Sequence, residues 1–171
     1  STSLPWPAEG PEILWWKAVG EGYSSPIVAA SRLFVFDRTG DEARLSAWDA
    51  ESGRELWQVR YKTRYEDYYG YSGGPRAAPL VDGERVFTYG VEGRLRAHAV
   101  GDGRVLWEVD TAARFGVVQN FFGVGASPVV EGELLIAQLE DHLAVADAVA
   151  GQVRHPAVDV AAERTEQSGQ E

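Results

Sequence analysis

Short apolar runs, each bounded by a polar turn, recur along most of this chain, and no segment between them carries a helical period. Three runs open behind a proline, at Pro26, Pro79 and Pro128. They end in the polar turns Ala30-Ser31-Arg32, Asp82-Gly83-Glu84 and Glu131-Gly132-Glu133. Second apolar runs follow at 33–36, 85–89 and 134–137. Pro fits the first residue of a strand, where no ladder donor is lost. Asp-Gly between apolar runs signals a hairpin, because such turns need positive φ. The second runs are apolar at both alternating positions, as in strands covered above and below. Turns around Gly40-Asp41 and Glu92-Gly93 lead to third strands at 44–48 and 94–99, with a counterpart at 143–147. The glycine turns Gly53 and Gly103 then lead to fourth strands at 55–60 and 105–110, and Gly151 holds the same place in the third repeat.

A longer phrase repeats about every 50 residues, a period that points to a repeat architecture. Its first copy runs Ala47-Trp48-Asp49-Ala50-Glu51-Ser52-Gly53-Arg54-Glu55-Leu56-Trp57 and its second Ala97-His98-Ala99-Val100-Gly101-Asp102-Gly103-Arg104-Val105-Leu106-Trp107. Four short strands per repeat fit a propeller blade. The expectation is an all-β chain forming a partial β-propeller. It has two full four-stranded blades (25–60 and 78–110), a leading strand and an incomplete third blade (127–155). The leading strand is Ile13-Leu14-Trp15-Trp16-Lys17-Ala18-Val19, which matches 55–59 and 105–109, and residues 1–12 read as an extended lead-in. In the third repeat Asp147 and Gly151 keep register, but His155 stands where tryptophan is expected and Pro156 would interrupt a ladder. Residues 156–171 are small and polar and are expected to be a disordered tail.

Composition narrows the partners. A formal net charge of −10 argues against tracking nucleic-acid phosphates or anionic lipid. Without cysteine there are no disulfides, thiolate metal sites or cysteine nucleophiles. No apolar run approaches the ~18–20 residues of a membrane span, and no signal peptide is present. The chain has no methionine, so Ser1 is not expected to be a translation start and the missing leader carries no weight.

The phrase Ala-x-Asp-x-x-[Ser/Thr]-Gly-x-x-x-Trp resembles the tryptophan-docking motif of the pyrroloquinoline-quinone-like (PQQ-like) propeller repeats. That superfamily holds quinoprotein dehydrogenases and a scaffold lipoprotein of bacterial outer-membrane assembly. Ala47, Asp49, Ser52, Gly53 and Trp57 match every position. In the second copy Ala97, Gly103 and Trp107 match, with Ala99 in place of the Asp and Asp102 in place of the hydroxyl residue. The resemblance implies that Trp57 and Trp107 lie on outer strands and pack against a neighbouring blade. It also implies a bacterial, periplasmic or otherwise extracytoplasmic setting. The Trp48-Asp49 dipeptide does not make a WD40 repeat, because the period is wrong and the Gly-His is missing.

Chemistry is harder to find. Quinoprotein dehydrogenases hold quinone and calcium over an eight-bladed ring, which needs on the order of 400 residues. His98, His142 and His155 are too scattered for metal-ligand spacing, and His98, between Ala97 and Ala99 on a strand, reads as packed or surface. Asp141-His142 lacks a Gly-x-Ser-x-Gly elbow. No catalytic, cofactor or metal residue is therefore expected.

The inter-repeat connections are aromatic instead. Tyr61, Tyr65, Tyr68, Tyr69 and Tyr71 lie in the first, and Phe115, Phe121 and Phe122 in the second. Equivalent propeller loops emerge side by side, so Tyr65, Tyr68, Tyr69, Tyr71, Phe121 and Phe122 are the candidate binding surface for a protein partner. Inward packing of the same residues is the competing reading. The expected function is a non-catalytic interaction scaffold or a fragment of one, with a quinoprotein dehydrogenase fragment and a polysaccharide-binding propeller as alternatives. An open arc also exposes two apolar blade faces, which favours self-association or completion within a longer propeller.

Overall fold

The computed structural model describes residue 7 and residues 9–116, 122–139 and 142–154. Three four-stranded antiparallel sheets follow one another along the chain, each ordered as it is threaded. The first comprises β1 (Ile27–Ala29), β2 (Arg32–Thr39), β3 (Glu42–Asp49) and β4 (Glu55–Lys62). The second comprises β5 (Leu80–Asp82), β6 (Arg85–Tyr89), β7 (Arg94–Ala99) and β8 (Val105–Asp110). A short helix, α1 (Thr111–Phe115), precedes the third sheet of β9 (Val129–Glu131), β10 (Leu134–Leu139), β11 (His142–Asp147) and β12 (Val153–Arg154). This is the nearly all-β, partial propeller that the repeat implies.

The core lies between sheets, because the middle strands are apolar on both faces. Phe34, Phe36, Ala43, Leu45 and Ala47 of the first blade close against Val86 and Val100 of the second. Phe87, Tyr89, Leu95 and Ala97 of the second close against Leu135, Ala137, Ala144 and Ala146 of the third. The first hairpin turn takes positive φ without glycine, at Ala30 (49°) and Ser31 (58°). Both blades carry a bulge where the third strand meets the fourth, at Ala47/Trp48 and Ala97/His98.

Several expectations are corrected. Residues 13–19 are not a strand: the only pairing before β1 among the described residues is the Glu21–Arg38 bridge. Among the described residues no strand pairs with this segment in a ladder. The strands β3 and β4 run longer than the apolar pattern indicates, because Arg60–Glu42 and Lys62–Asp41 ion pairs continue the hairpin past the apolar stretch. Helix α1 was not foreseen. The Asp110 carboxylate accepts from Ala113 N at 2.9 Å and Gly116, with φ 67°, closes the other end. The third blade does have a fourth strand, though β12 is only two residues long. Residues 1–6 of the lead-in, His155, Pro156 and the 156–171 tail lie outside the described residues.

Candidate functional site

The tryptophan–glycine phrase forms a seam between blades. The indole of Trp57 donates from Nε1 to Val100 O at 2.9 Å and lies flat on Gly103. A Cβ on Gly103 would stand 2.5 Å from that ring, and its φ of 77° already disfavours a side chain. Trp107 repeats the arrangement with Ala148 O (3.2 Å) and Gly151. Each indole thus docks on the glycine turn of the next blade along the chain. Ala47 and Ala97 sit opposite Trp57 and Trp107 in the ladders and are fully buried. Asp49 Oδ1 accepts from both the hydroxyl and the N–H of Ser52, which holds its carboxyl below the usual carboxylate range. The N–H groups of Ala150 and Val149 do the same for Asp147. In the second copy, where Ala99 replaces the Asp, Asp102 fills the place of Ser52 and accepts from Arg104 N as the Ser52 hydroxyl does from Arg54 N.

A third seam was missed. Trp15 donates to Ala50 O at 3.1 Å and packs on Gly53, whereas Trp16 beside it is 83% exposed. The signal was present, since Ile13-Leu14-Trp15 aligns with Glu55-Leu56-Trp57. The 13–19 segment therefore occupies a fourth strand's place through the Trp15 indole, without the hydrogen-bond ladder.

His98 is a packed histidine. Its Nδ1 lies 3.0 Å from Gly103 O, and because a carbonyl only accepts, that nitrogen carries the proton. Burial depresses the imidazole to about 4. An unfolded histidine titrates near 6.5, so the unfolded chain binds the extra proton first. This contribution is whole above about pH 6.5 and is lost as pH falls to about 4, amounting to roughly 3 kcal/mol. Denaturation midpoints of His98→Gln should lose that part of the pH dependence. An unchanged slope between pH 4 and 6.5 would contradict the assignment.

The connections separate into a pinned base and an exposed rim. Tyr65 is 5% exposed, so its place in the candidate binding surface is corrected. It is drawn inward because Arg76, paired with Asp67 at 2.6 Å, lies 5.5 Å from its ring centroid, and its carbonyl accepts from Arg38. Burial resists ionisation of Asp67, but the Tyr69 N–H and Arg76 outweigh it and lower its carboxyl. Arg76 also covers the Tyr23 ring, tying the segment just ahead of β1 to this connection. Tyr61 is half-buried at the end of β4 with the Arg96 guanidinium 3.9 Å over its ring, and the loss of solvent around its hydroxyl raises its phenol.

Outside this base, Tyr68 (77% exposed), Tyr69, Tyr71 (71% exposed) and Phe122 project together. Tyr69 meets Tyr68 edge-on at 5.2 Å, stands 6.1 Å from Tyr71 and stacks on Phe122 at 6.3 Å. The last contact joins the first connection to the second. Phe121 lies outside the described residues, and Phe115 packs against the core. A shallow groove of about 300 Å³ runs below the rim between Arg38, Tyr71, Ser72 and Glu66.

Among the described residues the donor set does not fit a quinone and calcium pair. Among the described residues no three His, Asp or Glu side chains converge. The most enclosed carboxylates, Asp37 and Asp67, are committed to Arg44 and Arg76. Glu140, Asp141 and Asn120 lie outside the described residues. Among the described residues no helix is long and apolar enough to cross a membrane.

Known proteins resemble this arrangement. The family model described as outer membrane protein assembly factor BamB matches residues 6–170. A 54-residue stretch is 41% identical to that factor from Alkalilimnicola ehrlichii, covering 28% of this chain and 13% of that protein. BamB from Moraxella catarrhalis superposes with a TM-score of 0.53 at 19% identity, over 80% of this chain and 36% of that one. Quinohemoprotein alcohol dehydrogenase from Comamonas testosteroni gives 0.55 at 18% identity, over 80% and 20%. At such identities the structural likeness shows the fold alone, and this chain spans well under two thirds of the length of these relatives. Three indole seams on three four-stranded blades, together with a family match over nearly the whole chain, place it in the PQQ-like propeller-repeat family described as outer membrane protein assembly factor BamB.

Proposed function

We propose that this chain is a non-catalytic propeller-repeat module that binds extended protein segments outside the cytoplasm, as a scaffold in outer-membrane protein assembly. The observation that carries the reading is the rim of Tyr68, Tyr69, Tyr71 and Phe122, exposed on solvent yet stacked together across two connections. Aromatic rings with few torsions supply contact area at low entropic cost, and tyrosine hydroxyls suit a half-wet interface. The pinned base formed by Tyr65, Arg76 and Asp67 fixes the root of that rim, so little ordering remains to be done on binding. Family membership and the printed role of the relatives support the setting.

The test uses fluorescence anisotropy with labelled peptides copied from the aromatic-rich strands of an outer-membrane barrel. Tyr68→Ala/Tyr69→Ala should weaken binding about tenfold or more while leaving the β signature in circular dichroism unchanged. Equal binding by the variant ends the proposal. Soluble sugar polymers, run in parallel, distinguish a glycan-binding rim. A calcium-dependent absorbance change on adding quinone would instead favour a dehydrogenase piece.

A further inference from the structure

The aromatic rim stands over a groove of opposite character. The groove lies where the first connection, between β4 and β5, crosses the end of β2, and Glu21, Arg38, Glu66, Asp67, Tyr71 and Ser72 line it. Its guanidinium is spent on its own walls. Arg38 Nε donates to Gly40 O at 2.7 Å, while Nη1 donates to Tyr65 O at 2.5 Å and to Gly73 O at 3.0 Å. Gly73 permits this approach, since a Cβ there would stand 2.3 Å from Nη1. Asp67 is likewise taken up, by Arg76 and by the Tyr69 N–H at 2.8 Å. Two carboxylates are left over. Glu21 holds the Gly73 N–H at 3.2 Å through Oε2 alone, and Glu66 is exposed with no hydrogen bond or ion pair among the described residues. Three carboxylates against the guanidiniums of Arg38 and Arg76 leave the groove net negative, and the chain's charge of −10 adds to that field.

Tyr71 belongs to both features: it lines the groove and stands 6.1 Å from Tyr69 in the rim. A cation entering the groove meets two uncommitted carboxylates and an exposed tyrosine ring, which attracts it through the ring quadrupole. An anionic side chain meets like charge instead. An extended segment turns residues i and i+2 to the same side about 7 Å apart, close to the step from Tyr69 to Tyr71. We infer that rim and groove together take an extended protein segment with an aromatic side chain and, two residues away, a lysine or arginine. The aromatic ring stacks at Tyr69, and the cation sits with Glu66 and Glu21 beside Tyr71. This inference rests on the binding-rim reading above and adds the charge and spacing of the ligand.

Fluorescence anisotropy on the 171-residue chain compares three labelled peptides of one length, carrying Lys-x-Phe-x-Lys, Gln-x-Phe-x-Gln or Glu-x-Phe-x-Glu. The lysine peptide should bind about tenfold tighter than the glutamate peptide, and the gap should close as salt is raised. Glu21→Gln/Glu66→Gln removes both charges, keeps an oxygen for the Gly73 N–H, and should bring the lysine peptide down to the level of the glutamine peptide. If that variant loses its circular dichroism signature, Glu66→Gln alone gives the same readout at an exposed position. Placing the lysines directly beside the phenylalanine turns them to the opposite side and should cost the same advantage. Equal binding of all three peptides overturns the inference. So does tighter binding of the glutamate peptide, or a lysine preference that survives the double variant or the shift in spacing. If Tyr68→Ala/Tyr69→Ala then still weakens all three peptides alike, the rim reading stands and only the groove assignment falls. Binding of none of the three removes both.

Discussion

Trp57→Ala lowers stability by about 3–5 kcal/mol, the range for truncating a large aromatic at a packed site. Three losses combine at this position. The ring no longer fills the seam over Gly103, the 5.9 Å contact with Phe34 disappears, and Val100 O loses its donor. Trp57→Phe keeps most of the apolar contact and forfeits the hydrogen bond, so it should cost about 1 kcal/mol from that bond plus a smaller packing loss. Trp16→Ala is the internal control. Its indole is exposed, and surface changes usually stay within about 0.5 kcal/mol. Urea denaturation followed by circular dichroism separates the three variants. If Trp16→Ala were as costly as Trp57→Ala, the seam would not be where the stability resides.

The second large effect is expected at Asp37, where the first blade receives the segment ahead of β1 at Gly20. Its carboxylate accepts from Arg44 Nε at 2.8 Å and Nη2 at 2.5 Å, and from Gly20 N at 2.7 Å. Asp37→Ala leaves a largely buried guanidinium without its counter-charge, which costs about 3–5 kcal/mol. It also removes the acceptor that anchors Gly20, so trypsin cleavage after Lys17 should speed up. Replacing both partners with apolar residues, as Asp37→Leu/Arg44→Met, should recover most of the loss because no unpaired charge remains. A double variant as unstable as Asp37→Ala would show that the ion pair itself, rather than the orphaned charge, matters.

The repeat was legible because its constraints are local. A turn needing positive φ calls for glycine at 53, 103 and 151, and a flat ring on that turn tolerates nothing larger. Both requirements leave a fixed spacing in the chain. The choice between Trp15 and Trp16 was less visible: alternation puts adjacent residues on opposite faces, and only alignment with Glu55-Leu56-Trp57 decides between them. Helix α1 is too short to display a period, although its Asp110 cap and Gly116 stop are ordinary signals. The connections were the least legible part. Nothing near Tyr65 separates it from Tyr68, because its inward turn depends on Arg76 and on Arg38 from a distant strand. That the two connections meet, through Tyr69 and Phe122, follows from blade geometry and not from any local pattern.

His98 stands on the second blade alone; the matching ladder positions hold Trp48 in the first and Ala146 in the third. Mild acid therefore acts on the joints unequally. It charges the one imidazole bonded to the glycine beneath Trp57, while the turns under Trp15 and Trp107 are held by the Asp49 and Asp147 carboxylates, which take up protons only below the usual carboxylate range. An acidified arc parts first at that hinge, releasing the leading blade from the pair behind it.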